Sequence, residues 1–500
     1  MVPPVTSDVA RYRFPPLEKR GLIAGISGPQ VAVAGGGCVV ALIVLSVVHS
    51  ALGPVLAVAV LATTGATACW TIAGRPPSAW APIALTWLAR HRRARPTDAP
   101  GVGTTPFGPP RAAPRAELAG VTISAAPSVA GSPPMGVVRD LKAGTVAAMV
   151  AVHGRSFSLL DPAEKERRLA AWGAVLSGLC RDGSPVHRIQ WLERAIPGAS
   201  DGLRRYLDDA GQVSGSIRDS YAELISGAGP VGQAHGSLVV LALHQRRAAR
   251  AARAFGRGHS ALCALLRREM RLLQGQLRNA ELIVTRVLTD SDVAAVFRAA
   301  VDPRDLGRSS TPTVSGSHGD AVAVARSAAR PWPMATDEGW AYQRTDGAWH
   351  ATYWVSEWPR IDVGPDFLTP LLLAATGHRT ASVVMAPIPP ARAAREVQAA
   401  RTADLADEQL RQKAGFLSTA RRRREAEGVL QRESELADGH AEYRFSGYVT
   451  VSAADQAQLD VACAEIEQAA RQSNLEIRRL YGQQAEGFTW TLPLGRGLRG

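Results

Sequence analysis

Two arginine clusters and a set of scattered histidines are the residues of this chain best suited to act on a charged partner. Arg246, Arg247, Arg250, Arg253 and Arg257 recur along one stretch, and Arg421, Arg422, Arg423 and Arg424 are consecutive. Such faces neutralise phosphate groups or lie on an anionic lipid leaflet. Phe255 alone interleaves with them, too little for a base-stacking platform, so direct nucleic-acid binding is the less favoured reading. The candidate anionic-surface contacts are therefore Arg246, Arg250, Arg253 and Arg421 to Arg424. His153, His187 and His244 stand singly in strand-like contexts, where a histidine is usually a core or edge residue. No phosphate-cradling G-x-x-x-x-G-K-[ST], no H-E-x-x-H and no G-x-S-x-G is present. The cysteines Cys38, Cys69, Cys180, Cys263 and Cys463 form no C-x-x-C pair, hence no zinc site and no disulfide framework. No catalytic residue, cofactor or metal is expected, and the chain reads as a non-enzyme.

The elements that would position these charges begin with a block that carries none. From Gly21 to Gly74 there is no Asp, Glu, Lys or Arg, and two apolar runs flank a Gly53-Pro54 turn. A bilayer span needs about 20 mostly apolar residues. The expectation is a transmembrane hairpin over 21-93, with helices about 28-49 and 54-74 and an interfacial segment 77-90. It follows a polar lead, 1-20, extended on the membrane surface. Trp70, Trp80, Trp87, Arg20 and Arg75 are the interface anchors. Basic residues on both flanks and none in the turn place both termini in the cytoplasm, in a multi-pass protein of the inner (plasma) membrane. The net charge of +13 suits an anionic inner leaflet as well as a nucleic acid.

Beyond the hairpin, 94-118 is rich in Pro and Gly and reads as a linker. A cytoplasmic α+β module is expected over 119-303. In it, Asp161-Pro162-Ala163-Glu164 is a helix start, with Leu169, Trp172, Leu176 and Leu179 on the buried stripe. Strands are expected at Val186–Leu192 and Ser237–Leu243, and helices at Asp201–Leu207, Ser216–Ile225 and Ser260–Leu277. Residues 304-330 read as a second linker. A second α+β module spans 331-495. It opens with a hairpin turning at Asp346-Gly347, carries a long helix 391-438 (one helix or a pair), and ends in a strand–helix–strand unit. Strands at Leu475–Tyr481 and Phe488–Leu492 are expected to complete that unit, with a β-rich tail. The fold class is α+β with ferredoxin-like units.

The run Glu357-Trp358-Pro359-Arg360, then Gly415 to Ala420, the Arg421–Arg424 cluster, Arg432 to His440 and Gly447-Tyr448-Val449-Thr450-Val451 forms one pattern. It resembles the N-terminal, non-motor domain of the large motor ATPase of type IV secretion and conjugation systems. The hairpin behind Arg-Tyr-Arg-Phe-Pro-Pro resembles the small PrgI-type membrane subunit of the same machinery. Together they resemble membrane proteins of actinobacterial conjugative gene clusters. The motor's phosphate loop is missing, so ATP hydrolysis does not carry over. The resemblance implies a membrane-docked structural component whose partners are the lipid bilayer, a separate motor ATPase, other secretion subunits and, in one arrangement, further copies of itself. Two alternatives stand beside it: a type VII secretion component, and a membrane-tethered DNA-binding protein.

Overall fold

The computed structural model describes Tyr12, Phe14 and residues 28–49, 52–69, 77–94, 117–154, 157–197, 215–228, 233–302, 331–333, 335–374, 377–413 and 420–498. Trp70, Arg20, Arg75, the helix expected at Asp201–Leu207 and both linkers, apart from their edges, lie outside them.

The described residues fall into two compact units, a helical one and an α+β body. The helical unit holds α1 (Gly28–Val47), α2 (Leu52–Cys69) and α3 (Pro77–Ala94). Helix α2 starts before the Gly53-Pro54 pair expected to form the turn, because proline needs no N–H in a first helical turn. The expected hairpin is present as two helices, α1 packed on α2. Among the described residues no helix is long and apolar enough to cross a membrane.

In the body, β1 (Val121–Ala125), β2 (Gly136–Asp140) and β3 (Thr145–His153) are followed by α4 (Pro162–Leu179), β4 (Val186–Pro197), α5 (Gly215–Ala228) and β5 (Gln233–His244). Then come α6 (Gln245–Ala252), α7 (Gly258–Asn279), β6 (Ile283–Val287) and α8 (Asp290–Val301). The second half has β7 (Thr336–Glu338), β8 (Gln343–Thr345), β9 (Ala348–Glu357), α9 (Thr369–Leu372), β10 (His378–Pro387), α10 (Pro390–Lys413) and α11 (Ala420–Ala437). It closes with β11 (Tyr443–Ala453), α12 (Gln456–Gln472), β12 (Glu476–Arg479) and α13 (Gln484–Trp490).

Local chemistry explains many of these boundaries. Asp161 accepts the Glu164 N–H at 2.8 Å and Pro162 opens α4, whose buried face is Val175 and Leu179 with Trp172 and Leu176 packed beside it. Thr289 and Asp292 form a reciprocal capping box on α8. Thr345 pairs with Ala348 across a two-residue turn in which Asp346 has φ 31°. Gly439 (φ 86°) supplies the left-handed step that ends α11. The long helix expected over 391-438 is two helices, α10 and α11, joined side by side by the Arg401–Glu433 ion pair.

Pairing shows what the two expected modules have in common. The series β3, α4, β4, β5, α7, β6 assembles in the spatial order β6-β3-β5-β4. The series β9, α9, β10, β11, α12, β12 assembles as β12-β9-β11-β10. Both are βαββαβ patterns with the same strand order, and both carry a helical insertion between their two central strands. They are not separate modules. Strand β10 pairs antiparallel with β4, so one 12-stranded sheet runs through the body and neither strand is left as an open edge. Helices α4 and α7 cover one face in the first half, as α12 does in the second. Helix α8 and the segment from α13 to Leu494 lie on the other. Phe488–Leu492, expected as a strand, is instead the end of α13 and the turn after it.

The polar lead is also placed differently from expectation. Tyr12 exchanges both backbone hydrogen bonds with Val363, at 2.9 and 3.0 Å. Phe14 enters an aromatic box, 5.3 Å from Trp358, 5.4 Å from Phe367 and 6.4 Å from Phe445. Its apolar ring is better sheltered there than in water. Phe14→Ala should open this latch, with tryptic cleavage at Arg11 and Arg13 at least about tenfold faster than in the parent, since roughly 1–3 kcal/mol of aromatic packing is lost. Unchanged cleavage would show that the box does not hold the lead.

Candidate anchoring and interaction surfaces

The hairpin is built on small residues. Gly37, Gly53, Ala41 and Ala57 are the buried positions of α1 and α2 among the described residues. A Cβ added at Gly37 would sit 2.4 Å from Thr64 Oγ1, so the two backbones approach as only glycine permits. Gly37→Val should force the helices apart, costing about 1–3 kcal/mol. Amide exchange in α1 and α2 would report it, and unchanged protection would rule the seam out.

Most of the large apolar side chains among the described residues point away from that seam. Leu42, Ile43, Val47, Leu52, Val55 and Val58 are each more than half exposed. So continuous an apolar exterior demands a cover. The few polar side chains satisfy themselves within their own helices. Ser46 donates to Ile43 O at 2.9 Å, Thr63 to Ala59 O at 2.9 Å and Thr64 to Val60 O at 2.7 Å. That arrangement suits surroundings that offer no hydrogen-bond partner. Helix α3 carries Trp80 and Trp87, both partly buried, with Trp87 stacked on His91 at 4.1 Å. Its exposed face holds Leu85 and Leu88, and it ends in Arg90-His91-Arg92-Arg93.

In the α+β body the first arginine cluster falls on α6 and the turn after it. Ala248 and Ala252 anchor α6 into the core, while Arg246, Arg247, Arg250, Arg253 and Arg257 are exposed. Among the described residues none of the five meets a carboxylate. The charge is felt by His187 and His244, whose rings meet edge-on at 5.3 Å. Burial first, then Arg188 and Arg247, pull His187 down to about 4, and burial with Arg247 lowers His244 as well. These histidines are neutral neighbours of a cationic face and not ligands. The second cluster, Arg421–Arg424, lies in α11, and its side chains lie outside the described residues.

Sequence reasoning missed the best-built polar region of the body. On the sheet face under α13, side chains seize the backbone of the C-terminal segment. Gln190 Nε2 donates to Trp490 O and Leu492 O, each at 3.0 Å, and its Oε1 accepts Gly495 N–H at 2.8 Å. Arg188 donates to Gly495 O and Leu498 O, and Tyr448 Oη to Gly497 O. Arg496 reaches Asp140 and Glu117 O, each at 2.6 Å. Gly497 (φ 113°) lies flush on this surface, where a Cβ would be 2.6 Å from the Tyr448 ring. The only hint in the sequence is the pair of glycines around Arg496.

Cys180, Cys263 and Cys463 are buried, and burial raises each thiol above its ordinary range. None has a setting that would activate it as a nucleophile. No group of metal-binding side chains occurs among the described residues. No known family model matches the chain, and no curated protein matches it.

Proposed function

We propose that this chain is a membrane-anchored structural and docking component of a conjugation or type IV-like secretion apparatus, without an ATPase motor of its own. The carrying observation is the helical hairpin: small residues inside, large apolar residues outside, hydroxyls bonded back into their own helices. A lipid bilayer is the cover that such an exterior needs. In this reading the two uncharged helices are the membrane anchor, with both termini on the cytoplasmic side of the plasma membrane. The α+β body, a doubled ferredoxin-like unit, is then the surface on which a separate motor ATPase assembles. The resemblance of its second half to the non-motor part of such motors supports that assignment.

The test is a mild-detergent pull-down of the tagged full-length protein, with an alkaline carbonate wash of the membranes beforehand. Retention in washed membranes together with recovery of a conjugation-type motor ATPase is expected. Release by carbonate would sink the anchor. Recovery of type VII components alone would assign the protein to that machinery.

A second reading, a membrane-tethered DNA-binding protein, is favoured by the five exposed arginines of 246–257. It requires duplex DNA affinity that falls steeply with salt, and a shallower salt slope when Arg246, Arg250 and Arg253 become Gln.

A further inference from the structure

Where β4 meets β10, a small cleft opens on the sheet face covered by α8 and α13. Its floor is a block of directly opposed positions. Arg194 of β4, Thr380 of β10 and Thr450 of β11 form one row, and His378 and Ser452 form the next. The small side chains of Ala299 and Ala300 in α8 leave the space open, and Phe488 and Thr491 close its other side.

The polar groups here are unequally satisfied. Thr450 shares its hydroxyl with Thr352 at 2.9 Å and with Thr491 at 2.8 Å, and Ser452 bonds His350 at 2.7 Å. His378 Nδ1 is buried without a hydrogen-bond partner among the described residues, and Arg194 and Thr380 line the cleft beside it. The nearest carboxylate in sequence, Glu193, points to the opposite face, where His235 and Ser237 hold it. Arg379 also turns to that face and donates to Ala374 O and Leu372 O. Burial draws the Arg194 guanidinium down to about 10, which still leaves it charged at neutral pH. Burial and the neighbouring Arg194 hold His378 near 4, so its ring is neutral and offers one N–H.

The planar fork of the half-buried Arg194 suits two oxygens of one anion. We propose that this cleft binds a compact oxyanion of the phosphate type, gripped by the Arg194 fork with His378 and the Thr380 hydroxyl as further donors. The cleft is too confined for a base and sugar to enter with it. The anion is therefore free phosphate or the exposed end of a phosphate monoester. The site is independent of the α6 arginines and of the membrane reading.

The experiment is titration calorimetry on the full-length protein in mild detergent, with inorganic phosphate and, separately, a nucleoside monophosphate, against chloride at matched ionic strength. Saturable phosphate binding is expected. R194Q should weaken it at least about tenfold, the usual worth of a charge-assisted bidentate contact. T380V should weaken it about threefold, as one neutral hydrogen bond does. The double variant R246Q/R250Q, on the exposed cluster, should bind as the parent does. A monophosphate that binds as tightly as phosphate identifies the monoester end as a ligand, and one that fails to bind restricts the site to the free anion. Absence of saturable binding in the parent overturns the proposal, as does equal affinity in R194Q and T380V. Should R194Q fail to fold, T380V and H378Q carry the same test.

Discussion

Replacing Gln190 with leucine should destabilise the α+β body by about 3–5 kcal/mol, among the largest losses open to a single substitution here. Gln190 is fully buried, and its amide spans β4, β10 and the C-terminal segment at once. One end donates to Ser382 Oγ at 2.9 Å and to the carbonyls of Trp490 and Leu492; the other accepts the Gly495 N–H. Leucine matches its size but fills none of these roles. The Trp490 carbonyl keeps Ser382 as a donor at 2.9 Å. The Leu492 carbonyl and the Gly495 N–H lose a buried partner, and an unmade buried hydrogen bond costs more than a made one contributes. The change should appear as a lower urea midpoint and as proteolytic release of the segment beyond Tyr481. Gln190→Glu is the sharper control, since it keeps the shape and the acceptor but sets a second acceptor against two carbonyls. A loss below about 1 kcal/mol in Q190L would mean that the segment is held mainly by Leu492, Leu494 and Arg496.

How much of this was legible in the sequence follows from how local each cause is. The α4 start at Asp161-Pro162, the turn at Asp346-Gly347 and the stop at Gly439 were read correctly, because each depends on a few adjacent residues. The joining of the two halves was not. Gln190 and Ser382, which meet at that junction, are 192 positions apart, and alternation within β4 says nothing of which strand lies beside it. Phe488–Leu492 was misread for a related reason. Phe-Thr-Trp-Thr-Leu has strand propensity, but distant side chains take its carbonyls, and Thr491 turns back to Phe488 O at 3.0 Å. Arg194 in an alternating strand looks like a solvent-facing residue. It becomes a candidate ligand only once Thr380, His378 and Ala299 surround it. The anchor was legible at the level of composition, since a missing charge is visible without a fold. Its glycine seam needed the structure.

Acid should unfold the body earlier than its carboxylates alone would require, because its core contains a histidine that must stay neutral. His350 is 1% exposed, with the Phe488 ring tilted against it at 4.7 Å. Thr345 Oγ1 gives its proton to Val301 O at 2.6 Å, so its 2.6 Å contact with His350 Nε2 requires the proton to be on that nitrogen. Nδ1 then accepts the Ser452 hydroxyl at 2.7 Å. A second ring proton would collide with that arrangement, and burial holds His350 down to about 3. The folded value lies below the unfolded one of 6.5, so the unfolded chain binds the extra proton between them. The stabilisation is therefore complete above pH 6.5 and is lost progressively as pH falls towards 3. Between pH 7 and pH 4.5 the expected loss from His350 is about 2–3 kcal/mol. His187 and His378, each lowered to about 4 by burial, add losses of the same sign. His350→Gln can keep both hydrogen bonds and cannot titrate. Its stability at pH 7 should be somewhat lower, while its decline to pH 4.5 should be shallower by that same amount. Parallel pH profiles for the two proteins, followed by urea unfolding, would mean that His350 does not carry the acid sensitivity.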